Sequence, residues 1–77
     1  MNEYLIAFHL TDARDKYRYL DMELAAKRAK PFADCVFLVT SLQTITEVAD
    51  DCARHLHAGD RLIVGGNGSA KCLIRPV

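Results

Sequence analysis

The chain contains only three cysteines, Cys35, Cys52 and Cys72, an odd number at wide spacing with no C-x-x-C pair. That pattern speaks against a disulfide framework and against a zinc ribbon, and the three thiols are expected as small buried hydrophobes. No apolar run approaches the ~20 residues that span a bilayer, and the N-terminus shows no basic segment leading into a long apolar one. A cytoplasmic protein without a membrane partner is therefore expected. An excess of either charge is missing too: ten Lys and Arg balance ten Asp and Glu. Net charge thus announces neither nucleic acid nor membrane. Low-complexity tracts are also absent.

What the sequence does have is an order of apolar runs. Tyr4-Leu5-Ile6-Ala7-Phe8-His9-Leu10 is followed by an amphipathic stretch, then by Cys35-Val36-Phe37-Leu38-Val39, a second amphipathic stretch, and Leu62-Ile63-Val64. Short β-like runs alternating with helix-period segments describe a small sheet backed by two helices. With 77 residues the chain is a single domain, residues 1–77, and a domain of this size buries only about 60% of the surface its unfolded chain exposes. Lacking covalent staples but 51% hydrophobic, it is expected to gain stability as a homodimer.

The first run, Glu3 to Leu10, is nearly continuous in apolar residues, as in a central strand. Thr11-Asp12 supplies side-chain acceptors for a turn or helix start. Tyr17, Leu20 and Leu24 form one apolar stripe, Glu23 and Lys27 an i,i+4 pair, and Pro31 ends the helix by about Ala29. Lys30 to Ala33 is then a short connection. Asp34 to Thr40 reads as a second buried strand, and a continuation past Ser41 around a bend stays open. Thr44-x-x-Glu47 is a capping box, Ile45, Val48, Ala49, Cys52 and Leu56 follow at helical spacing, and Gly59 closes that helix. Arg61 to Val64 is a strand, Asn67-Gly68 a hairpin turn, and Ala70 to Arg75 the returning strand. The layout is β-α-β-β-α-β, an α+β ferredoxin-like sandwich with a mainly antiparallel sheet, two helices on one face and an appended C-terminal hairpin strand.

Charge is placed unevenly. Six basic residues lie between Arg14 and Lys30, whereas Glu47, Asp50, Asp51 and Asp60 accompany only Arg54. Solvated helix faces account for most such patterns. Tyr17 lies on the apolar stripe and is expected in the core, which leaves Tyr19 as the freer ring. His55 and His57, two apart, project to different sides of a helix and are expected as exposed residues near its C-terminus. Gly65 to Ser69 lacks the lysine-serine ending of a phosphate loop and opens no helix.

The chain start Met1-Asn2-x-Tyr4-Leu5-Ile6, the strand Cys35-Val36-Phe37-Leu38-Val39, the helix start Thr44-x-Thr46-Glu47-Val48 and the strand Asp60-Arg61-Leu62-Ile63-Val64 resemble the SinR-like small proteins. Those are relatives of the CRISPR-associated adaptation endoribonucleases and of VapD-type toxins. The resemblance spans about residues 1 to 65 and rests mostly on strand hydrophobics. It implies a ferredoxin-like homodimer associated with RNA or DNA, in which an aspartate at the end of each first strand holds a divalent metal, Mg²⁺ or Mn²⁺, for phosphodiester hydrolysis. Here the matching segment is Phe8-His9-Leu10-Thr11-Asp12, so His9 stands at the aspartate position and Asp12 is the later carboxylate.

His9 and Asp12 are accordingly the candidate catalytic and metal-ligating pair. Imidazole suits Mn²⁺, Zn²⁺ or Ni²⁺ better than Mg²⁺. Three readings of His9 stay open: a structural residue at a strand end or dimer contact, a general base in a phosphate site, or a metal ligand shared across a two-fold axis. The resemblance also places Arg14, Lys16 and Arg18 on the rim of a dimer groove, as phosphate contacts, with Tyr19 able to stack on a base. The alternative to a nucleic-acid-associated protein is a non-enzymatic dimerisation or interaction module that recruits its partner by strand addition.

Overall fold

A computed structural model describes residues 1–77. Five strands form one antiparallel sheet: β1 (Asn2–His9), β2 (Lys30–Ala33), β3 (Val36–Ser41), β4 (Arg61–Gly66) and β5 (Ser69–Ile74), in the spatial order β2-β3-β1-β4-β5. Helices α1 (Arg18–Ala26) and α2 (Ile45–Ala53) are the two crossovers, and a single 3₁₀ turn, Arg14–Lys16, precedes α1. The first four strands and two helices are the ferredoxin-like sandwich, and β5 extends its sheet beyond β4.

Strand periodicity decides which side chains the helices cover. Tyr4 and Ile6 of β1, Val39 of β3 and Leu62 and Val64 of β4 point to the covered face. They meet Tyr17, Leu20 and Leu24 from the first helical segment and Val48, Ala49, Cys52 and Leu56 from the second, completing the core. The opposite face carries Leu5 and Ala7 of β1, Val36 and Leu38 of β3, Ile63 of β4 and Cys72 and Ile74 of β5. No element covers it.

The capping box forms as its sequence indicates: Thr44 Oγ1 accepts from the Glu47 amide at 3.2 Å, and Glu47 Oε1 accepts from the Thr44 amide at 2.9 Å. Asn67 and Gly68 both take positive φ, 53° and 76°, the backbone of a type I′ turn joining β4 to β5. Four expectations are corrected. Residues 30–33 are the edge strand β2 rather than a connection, because Pro31 is tolerated at an edge and the chain reverses already at Asp34-Cys35, with Cys35 at φ 57°. The chain therefore does not bend into a further strand past Ser41. Helix α1 stops at Ala26, since Arg28 turns left-handed at φ 55° and hands the chain directly to β2. Helix α2 stops at Ala53, and Gly59, at φ 83°, belongs to the later turn that enters β4. Of the cysteines only Cys52 is fully buried; Cys35 is half-buried and Cys72 exposed on the uncovered face.

No helix is long and apolar enough to cross a membrane.

Candidate functional site

Asp60 is the one polar residue among the 13 fully buried ones. It precedes β4 in the turn that begins at His57, and that turn closes on itself: the Asp60 amide donates to the His57 carbonyl at 3.0 Å, and the His57 amide donates to Asp60 Oδ2 at 2.7 Å. Oδ2 also accepts the Tyr17 hydroxyl at 2.7 Å, while Oδ1 accepts the Thr11 amide at 2.7 Å and the Thr11 hydroxyl at 2.8 Å. Burial alone would raise the carboxyl pKa. The four donors, Tyr17 foremost, outweigh it and bring the group down to about 2. Tyr17 shifts the other way, its phenol raised by burial and by the hydrogen bond it gives to Asp60. One ionised side chain thereby ties the segment after β1, the start of α1 and the turn after α2 together.

A second pair rests on this node. His57 Nδ1 lies 2.6 Å from Asp12 Oδ2, and the imidazole stacks on the Tyr17 ring with centroids 4.2 Å apart and planes 17° from parallel. The Asp12 amide in turn donates to the Tyr17 hydroxyl at 3.3 Å. With the carboxylate accepting from Nδ1–H, the other ring nitrogen, Nε2, has no protein partner. The side chains of His57 and Asp12 are 36% and 45% exposed, so this nitrogen is reachable.

The other site residues named from the sequence fall as follows. His9 is exposed at the end of β1, on the uncovered face, opposite Arg61 across the ladder. It makes no side-chain hydrogen bond, and Asp12 is engaged by His57 instead. Arg14 is half withdrawn: Nη2 pairs with Asp21 at 2.6 Å, and Nη1 is buried without a partner. Lys16, Arg18 and Tyr19 are exposed, and the Tyr19 ring lies beside that of His55, centroids 6.5 Å apart. Lys27, also in the basic stretch, is only 8% exposed and holds the helices together through Asp51 at 2.8 Å and Gln43 at 2.7 Å. That bond lowers the Asp51 pKa. The acidic surface read from the second half of the chain is thus largely spent internally, on Lys27 for Asp51 and on the buried node for Asp60.

A divalent metal was the cofactor implied for His9 and Asp12. Within the chain no three His, Cys, Asp or Glu side chains gather at a point, and the Asp12 carboxylate has His57 as its partner. The chain thus offers one carboxylate, Asp12, for such an ion, and a Mg²⁺ held there would draw its remaining oxygens from water, substrate phosphates or a second copy.

Asp60 and His57 are the residues that sequence reasoning missed. The acceptor-rich Thr11-Asp12 turn was visible, but its partners lie 45 and 49 positions away, and nothing local marks such a pairing. Searches against protein-family models, curated proteins and solved structures match nothing.

Proposed function

We propose that this chain is a homodimeric, nucleic-acid-associated protein that holds a phosphodiester backbone at the end of the sheet where β1 stops. The observation that carries this reading is that the element order brings several cations and an exposed ring to one end of the molecule. β1 ends at His9, β4 begins at Arg61 opposite it, and α1 begins at Arg18, so Lys16, Arg18, Tyr19, His9 and Arg61 belong to one end of the molecule. Lys and Arg there answer to phosphate charge, and Tyr19 is 66% exposed, free to stack on a base. This agrees with what the resemblance to the SinR-like proteins and the CRISPR-associated adaptation endoribonucleases implies for residues 14–19. The reading concerns binding of the backbone and takes no step through a metal.

The dimer rests on the uncovered apolar face. Leu5 and Ile63 are each more than 40% exposed at its centre, and a second copy offers the same face in return, as two-fold symmetry requires.

The test is binding of labelled single-stranded RNA and of duplex DNA followed by fluorescence anisotropy between about 50 and 200 mM salt. The logarithm of affinity should fall linearly with that of salt, by about 0.7 per phosphate neutralised on a single strand. Lys16→Glu with Arg18→Glu should weaken binding and flatten the slope. A protein that binds neither nucleic acid at low salt while still sedimenting as an oligomer would overturn the reading in favour of an interaction module. The outer edge of β5, unpaired and free of proline over Ser69–Ile74, is the surface such a module would use.

A further inference from the structure

We infer that His57, oriented by Asp12, is a general base for metal-free cleavage of RNA, a role resting on the nucleic-acid reading above. The arrangement is that of a working base rather than of an incidental ion pair. A carboxylate fixes the tautomer from the Nδ1 side at 2.6 Å, a stacked phenol fixes the plane of the ring, and the His57 amide is pinned to the buried Asp60. The titratable groups bonded to or stacked on the imidazole and its supports are Asp12 from the segment after β1, Tyr17 before α1, and Asp60 ahead of β4. They leave Nε2 facing solvent, and the preceding segment supplies Lys16 and Arg18 for the phosphate. Positioning of this kind is what a catalytic histidine requires before chemistry begins.

A base beside cations suits a substrate that carries its own nucleophile next to the phosphorus, and RNA carries one in its 2′-hydroxyl. His57 Nε2 removes the 2′-hydroxyl proton, the 2′-oxygen forms a bond to the adjacent phosphorus, and the P–O5′ bond breaks. The departing 5′-oxygen is protonated from water, and the imidazolium returns its proton to solvent. The products are a 2′,3′-cyclic phosphate and a 5′-hydroxyl. No electrons change hands. Asp12 is a positioning residue, since it acts through His57. DNA, without the 2′-hydroxyl, is bound and left intact.

The experiment incubates the full-length protein in chelator with labelled single-stranded RNA or with DNA of the same sequence, measuring binding by anisotropy and cleavage by gel with end-group analysis. RNA should be cut to cyclic-phosphate ends and DNA should not. His57→Gln should lower the rate by about 10²-fold or more while keeping RNA affinity, the size of a general-base contribution. Its melting curve should stay cooperative, because the amide contact to Asp60 is retained. Asp12→Asn should reduce the rate and also displace the acid limb of the pH–rate profile, which a merely structural role would not do. RNA that binds but survives in chelator, or that His57→Gln cuts as fast as the native protein, overturns the dyad and leaves the binding reading standing. RNA that does not bind at all removes both.

Discussion

At the scale of single residues, Asp60 is the one charged side chain in the buried core and joins three separate segments of the chain. A buried carboxylate is costly unless its lone pairs are filled, and here four donors fill them. Its folded pKa of about 2 lies below the ordinary 3.8, so the carboxylate stabilises the fold fully above the unfolded value. That contribution, on the order of 2 kcal/mol, is lost as pH falls from about 4 through 2. Asp51, lowered by Lys27 and Gln43, titrates in the same sense. At the alkaline end Tyr17 works in reverse: raised above 10.0, it stabilises the fold below that value and loses its effect as pH rises past it. Asp60→Asn replaces one acceptor oxygen by an NH₂ group that faces donors. The variant should lose about 2–4 kcal/mol in urea unfolding at neutral pH. The gap to the native protein should narrow towards pH 2. A loss below about 0.5 kcal/mol, the size of an ordinary surface change, would show that the node is dispensable.

At the scale of elements, what the sequence reveals divides by range. Periodicity and capping are local, so β1, β4, the hairpin at Asn67-Gly68 and the start of α2 at Thr44 were readable, with boundaries off by one or two residues. β2 was not, because Lys30-Pro31-Phe32-Ala33 is short, exposed throughout and contains a proline. It is a strand only by virtue of its pairing with β3. The candidate site was legible on one side only: Asp12 and the basic stretch stood out, whereas His57 matters through a partner 45 residues away, and His9, singled out by resemblance, touches neither. Element geometry also makes a paired test available at the end of β4. A Cβ on Gly66 would sit 2.5 Å from the Glu3 carbonyl oxygen and 2.8 Å from Tyr4 Cδ1, whereas on Gly65 the nearest atom is 4.0 Å away. Glu3 is backbone of the central strand and cannot yield cheaply. Gly66→Ala should therefore cost about 1–3 kcal/mol, as overpacking does, with Gly65→Ala markedly milder. Equal thermal shifts for the two would mean that β1 and β4 are less tightly paired than their register indicates.

At the scale of the whole molecule, the sheet is finished on one face and unfinished on the other. Helices, core and the Asp60 node all lie on or beside the covered side, while Leu5, Leu38, Ile63, Cys72 and Ile74 have only their cross-strand neighbours and no second layer over them. Fully burying a Leu or Ile side chain stabilises by about 1.5–3 kcal/mol, so two copies closing face to face would add several such terms to a domain whose own core is small. Ile63 is the place to ask, because it stands between Ala7 of β1 and Cys72 of β5 at the middle of the face, whereas its neighbour Val64 points into the core. Stability that depends on association depends on concentration, so the native melting temperature should rise with protein concentration. Ile63→Glu should abolish that dependence and sediment as a folded monomer. Val64→Glu, one residue along and on the other face, should instead unfold the protomer. If the native chain is monomeric at every concentration and its melting point stays constant, the apolar face is not closed by a second copy. The proposed nucleic-acid contact would then rest on a single chain, with one His57–Asp12 pair rather than two.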